Sequence, residues 1–158
     1  MIEMTLVGIP IIFILISIFE MSRGMWIYHT LAYSVREGTR FAAVHGQDCV
    51  TVVPTVTNAC AKTVAQVAAV IEQAGIGLDR ATTTLTFTAG GSISCTIVTC
   101  AANASQWPPS GANGIGQIVK IDVIVPFHSA LAMFWPGTRP VRFAVSNMGA
   151  TSSEVIQF

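Results

Sequence analysis

Residues 1–26 read MIEMTLVGIPIIFILISIFEMSRGMW. Sixteen uncharged residues, Met4 to Phe19, lie between Glu3 and Glu20, and Arg23 follows within one turn. A run that is apolar on every side is a membrane span or a deeply buried helix. At about 1.5 Å per residue it reaches only about 24 Å, short of the roughly 30 Å hydrocarbon core of a bilayer. Extending the span towards Met1 or into MSRGMWIY draws Glu3 or Glu20 towards lipid. Gly8 and Pro10 are expected to make a local helix defect, because proline lacks the N–H and crowds the preceding turn. A secretory signal opens on positive charge and closes on a small-residue cleavage site. Neither is visible here.

Beyond Glu20 the pattern turns amphipathic: Ile27, Leu31, Val35, Gly38 and Ala42 recur at steps of three and four and make one stripe. Residues 2–45 therefore read as one long helix in two regimes, with the stop at His45-Gly46-Gln47-Asp48 and Gly46 suited to a left-handed cap. A continuous helix of that length is too long for the core of a small globular domain, so one part must protrude.

The rest of the chain is sparsely charged. Charged residues are 10% of the 158, against a usual value of roughly 25%, and the formal net charge is zero. Nothing in that balance points to nucleic acid or acidic lipid. No charge occurs from Ala81 to Val119. Such a Thr-rich stretch suits packing against other copies or carrying sugars; an ordinary sheet with threonine facing water accounts for it equally.

Asn58 is expected to cap a second helix over 59–74 with Val64, Val67, Ala68 and Ile71 inward and Gly75 at its end. The period then becomes two: Thr84–Thr88 and Ser92–Val98 flank Gly90-Gly91 as a hairpin. A Pro/Gly/Asn/Ser loop with Trp107 embedded spans 101–116. A strand over 117–127 turns Val119, Ile121, Val123, Val125 and Phe127 to one face, and Val141, Phe143 and Val145 repeat that pattern after Trp135-Pro136-Gly137. The expected class is α+β: a long N-terminal helix (1–46), then a head (47–158) of one helix packed on an antiparallel sheet of about four strands.

Cys49, Cys60, Cys95 and Cys100 all follow the apolar run, an even set on one side of an anchor that points to disulfides in an oxidising compartment. Of the three connectivities, the local pairs Cys49–Cys60 and Cys95–Cys100 are expected. Their spacing does not match paired zinc ligands. No catalytic, cofactor or metal site emerges. Gly111–Gly116 (GANGIG) follows no strand and lacks a P-loop lysine, and His29, His45 and His128 are scattered. Met21 and Met25 read as packing, and Trp26 and Tyr28 as an aromatic belt or as helix packing. Asn103-Ala104-Ser105 is formally a sequon, a triplet frequent by chance.

Glu3, Pro10, Glu20 with Arg23, and Arg36-Glu37-Gly38-Thr39-Arg40-Phe41-Ala42 together resemble the TadE-like branch of the type IV pilin superfamily, over about 45 residues. VKIDVIVPFHSALAMF is similar, more weakly, to that family's last strands. The resemblance implies a non-enzymatic structural subunit without a cofactor. Such a subunit is inserted in the inner membrane, cut by a prepilin peptidase after a basic leader, and polymerised by assembly machinery into an extracellular filament of identical copies used in adhesion or surface colonisation. No leader precedes Glu3, which fits a mature or truncated chain or a real start at Met1. A minor membrane-anchored pseudopilin is the alternative, and a membrane-anchored secreted enzyme or binding domain a further one. Glu3 is expected to meet a positive charge on a neighbouring subunit, or to sit at headgroup level; Glu20 and Arg23 pair within one helix or across a bundle.

Overall fold

The computed structural model describes residues 2–47, 49, 60, 62–129 and 145–157. Helix α1 (Ile2–Ala43) runs uninterrupted for 42 residues with Pro10 inside it. Its hydroxyls do not compete with the helix, because they turn back onto it. Ser17, Ser22 and Thr39 donate to the carbonyls of Phe13, Ile18 and Val35, at 2.8, 2.9 and 2.7 Å. At the C-terminal end, Nδ1 of His45 lies 2.6 Å from the Phe41 carbonyl and the Gln157 N–H donates to Ala43, so orphan carbonyls of the last turn find partners.

Helix α2 (Val64–Ala74) starts later than expected, and Asn58 lies outside the described residues. Its cap is Thr63, which exchanges hydrogen bonds with Gln66 in a capping box. Val64, Val67, Ala68 and Ile71 face inward and the Gly75 N–H closes the end on Ile71, as the periodicity implied.

Strands β1 (Thr84–Thr88) and β2 (Ser92–Thr96) form the hairpin, with Gly90 at φ +64° in its turn. β2 stops short of Val98 because Thr96 and Thr99 make a second capping box, which starts a short helix, α3 (Ile97–Ala101), from β-branched residues. The Cys95–Cys100 disulfide ties that helix to β2, and Cys49–Cys60 forms the other bridge. Strand β3 (Ile118–His128) buries Val119, Ile121, Val123 and Val125. Phe127 is only half-buried, at the fraying end of that face.

Of the fourth strand expected from Val141, Phe143 and Val145, only Val145 lies among the described residues, and it begins a strand. β4 is Val145–Val155, and residues 141–144 lie outside the described residues. The four strands form one antiparallel sheet in the order β2-β1-β3-β4. Register sets Met148, Ala150, Ser152 and Glu154 opposite Val125, Val123, Ile121 and Val119, on the face α1 covers. Only Ala150 and Ser152 are small there, between Met148 and Glu154, so β4 carries no apolar alternation to read.

The core joins Leu31, Val35 and Ala42 of α1 to Ile71, Leu85, Phe87, Ile97, Ile121 and Ile156. Trp107 is fully buried beside Phe87, ring centroids 5.1 Å apart and edge-to-face. The opposite face of the sheet carries Thr84, Thr86, Thr88, Ser92, Ser94 and Thr96 in cross-strand register. Thr86 and Ser94 hydroxyls meet at 3.2 Å, and Asp122 accepts from Thr151 and pairs with Lys120.

At Gly38 an added Cβ would lie 2.4 Å from Cγ1 of Ile71. Gly38→Leu should therefore lower head stability by about 1–3 kcal/mol through overpacking, read by denaturant melts; an unchanged midpoint would contradict the close contact. Replacing Cys95 and Cys100 by alanine frees only a short loop, so the expected loss is about 2 kcal/mol in the same melt.

Candidate functional site

Helix α1 keeps contact with the head as far as Glu20 and carries its apolar run largely exposed. Leu6, Val7, Ile9, Ile11, Ile12, Phe13, Ile14, Leu15, Ile18 and Phe19 are each about half exposed or more, from 47% at Phe13 to 72% at Leu6. Covering that surface is worth on the order of 10 kcal/mol, comparable with the whole stability of a small domain. Helix α1 between Leu6 and Ala43 is long and apolar enough to cross a membrane, with an 18-residue window of mean hydropathy 1.9. Gly8 stands in open space, with no heavy atom within 4 Å of an added Cβ. Pro10 leaves the carbonyl one turn before it without its helical donor. The side chain of Glu3 lies outside the described residues.

The far end of the run is marked by a buried acid. Glu20 is 7% exposed, its Oε1 is 3.8 Å from Nη1 of Arg23, and its Oε2 is buried without a hydrogen-bond partner. A carboxylate in that position costs stability unless something completes it. Arg23 is turned as much to the sheet as to Glu20. Its Nη1 donates to the His128 carbonyl at 3.2 Å, and its guanidinium lies 5.3 Å from the Phe127 ring centroid. One helical step on, bare backbone at Gly24 lets Met148 and Phe127 approach, 3.3 and 3.9 Å from an added Cβ. These contacts bind α1 to the end of β3 just where the apolar run stops.

Trp26 is half exposed and leans on the loop after α2, where Gly77 at φ +88° leaves room for its ring. Met21, Gly24, Met25 and Tyr28 of α1 and Met148 and Gly149 of β4 line, among the described residues, an apolar groove of about 360 Å³. The sequence offered Met21 and Met25 only as packing. Their groove depends on β4, which local periodicity does not reveal.

The other singled-out residues sit apart. His29 is exposed beside Tyr28, His45 stacks on Phe41, and His128 is exposed at the end of β3. Gly111 and Gly116 adopt positive φ in a turn, and Gly116 donates to Ile156, so GANGIG serves the chain's own folding. Asn103 accepts from Ser105 through its side chain and from Ala65 through its carbonyl. Asp79 accepts from the Ala81 N–H and the Thr82 hydroxyl, and these bonds hold its carboxyl below the usual carboxylate range. Among the described residues no group of three or more His, Cys, Asp or Glu is placed to hold a metal.

Residues 1–40 match the family described as TadE-like protein. The resemblance carried by Glu3, Pro10, Glu20 and Arg23 thus holds for the N-terminal helix. No curated protein and no solved structure matches the chain.

Arg23→Met removes both the bond to His128 and the ring contact. It should lower stability by roughly 1–2 kcal/mol, discounted for partial exposure, and raise hydrogen exchange at the end of β3. Unchanged exchange there would show that Arg23 does not anchor α1 to the sheet.

Proposed function

We propose that this chain is a structural subunit of a Tad-type pilus, held in the inner membrane by α1 and then polymerised through it into an extracellular filament. One observation carries the reading: ten large apolar side chains between Leu6 and Phe19 are bare on a helix whose second half is rigidly built into the head. Lipid covers them before assembly. In a filament, the equivalent helices of other copies cover them, and van der Waals packing supplies the selectivity that lipid lacks. The TadE-like match over residues 1–40 lies on this same segment. Adhesion or surface colonisation follows as the use of such a filament, and the subunit's work is structural, not enzymatic.

Glu3 and Pro10 have roles in this reading. A carboxylate at the bilayer edge costs about 3 kcal/mol if driven to the centre, and it is retained if a neighbouring subunit's positive charge meets it. The carbonyl that Pro10 frees needs a neighbour in lipid or in a bundle.

Electron microscopy of sheared surface material, with mass spectrometry of its main component, should show fibres built from this chain. Trace abundance would assign it instead to a minor membrane-resident pseudopilin. Glu3→Leu should leave membrane insertion intact and cut filament yield at least tenfold; unchanged yield would remove charge pairing from the mechanism.

A further inference from the structure

The apolar run falls about 6 Å short of a hydrocarbon core, so a full span needs about four residues more. Counted from Met4, such a span ends near Arg23 and takes in Glu20. The structure keeps that acid away from lipid. Glu20 and Gly24 continue, at steps of four and three, the stripe of Ile27, Leu31, Val35 and Gly38 that packs on the head, and Glu20 is 7% exposed. The side of α1 turned away from the head carries Phe19, Met21, Met25 and Trp26, all half exposed or more, and no charge. Ser22 on that side returns its hydroxyl to the Ile18 carbonyl at 2.9 Å, so it needs no water. Arg23 is engaged by the His128 carbonyl and the Phe127 ring, and its long stem lets its remaining donors reach headgroups. Burial of Glu20 thus moves the boundary of the span from Phe19 to about Arg23.

That boundary falls within the groove. Met21, Gly24, Met25 and Tyr28 make one wall, and Met148 and Gly149 the other. With Arg23 at the edge of the hydrocarbon, Met21 lies about 3 Å inside it and Tyr28 about 7.5 Å outside. Ile14, Ile18, Met21, Met25 and Tyr28 follow one another at steps of four and three, and all five are exposed. They form one continuous stripe from the middle of the run into the groove.

We propose that the groove seats an acyl chain of a membrane phospholipid, with the lipid's polar end beside Tyr28. The inference rests on the membrane-anchored form of the proposed subunit, and adds to it a lipid site and a depth. A chain lying along the stripe reaches the methionines without crossing a polar barrier. Methionine side chains adapt to it without needing one fixed shape. The Tyr28 ring offers an apolar body and a phenol tip, which suits the level where chains meet headgroups. At about 360 Å³ the groove is within the roughly 300–1,000 Å³ of small-molecule sites. The near rim of the head, with Phe127, His128 and Met148, then rests in the headgroup layer.

The test uses the full chain in its native membrane, with benzoylphenylalanine placed in turn at Ile12, Met25, Met148 and Tyr33. Ultraviolet light should give phospholipid adducts at Ile12, Met25 and Met148, at least fivefold above any at Tyr33. Met148 is the deciding position, because it lies on the head wall, which a plain span does not bring to lipid. Adducts at Ile12 and Met25 but not at Met148 would overturn the groove and leave membrane anchoring standing. Peptide adducts at Met25 and Met148 would make the occupant a polypeptide and overturn the proposal. Lipid adducts at none of the four would remove the anchored form as well. Native mass spectrometry of the unaltered chain, extracted in mild detergent, should show a retained phospholipid. Met25→Asp with Met148→Asp should cut that retention at least tenfold while the head keeps its melting midpoint. Equal retention in that variant would mean that the lipid is held elsewhere. Should the variants at Met148 fail to fold, retention by the unaltered chain against Met25→Asp alone decides.

Discussion

The structure depends on one buried stripe of α1. Leu31, Val35, Gly38 and Ala42 form a wall of the core, and at Gly38 the absence of a side chain lets Ile71 of α2 and Ile121 of β3 reach the helix backbone. Because the same rigid helix continues to Ile2 without a break, packing its second half fixes the direction of its first. The head cannot bury residues 6–19 without bending or breaking α1. A single continuous helix thus builds the fold and produces the exposed apolar arm.

The junction between these two regimes is chemically distinct. Glu20 is buried with one oxygen unpaired, and Arg23 divides itself between Glu20, the His128 carbonyl and the Phe127 ring. Removing one partner of such a group leaves the other poorly compensated, so the pair favours one setting of helix on sheet. Beyond it, ten large apolar side chains of the run, Leu6 to Phe19, are about half exposed or more.

The rest of the head compensates for its size. A small domain buries too little apolar area to be generously stable, and two disulfides and paired capping boxes supplement the core. The outer face of the sheet satisfies its hydroxyls locally, through Thr86 with Ser94 and Thr151 with Asp122. That pattern accounts for the neutral, Thr-rich stretch as an ordinary polar sheet face.

Where structure is set by neighbours along the chain, the residues were enough. The three- and four-step stripe of α1, the inward face of α2 and the alternation of β1 and β3 each follow from local periodicity, and local loop closure pointed to the two disulfide pairs. Asn58 suits a cap in isolation, but α2 is capped by Thr63, which makes two reciprocal bonds with Gln66. Ile97, Val98 and Thr99 favour strands, so local propensity hides α3, and the capping box and disulfide outweigh that preference. Only the tertiary structure decided β4, the burial of Glu20 and the groove, since all three depend on segments more than a hundred residues apart meeting across α1. Sequence by itself determined that an apolar helix would begin this chain. Long-range packing decided which face of it the head would take and which would stay exposed.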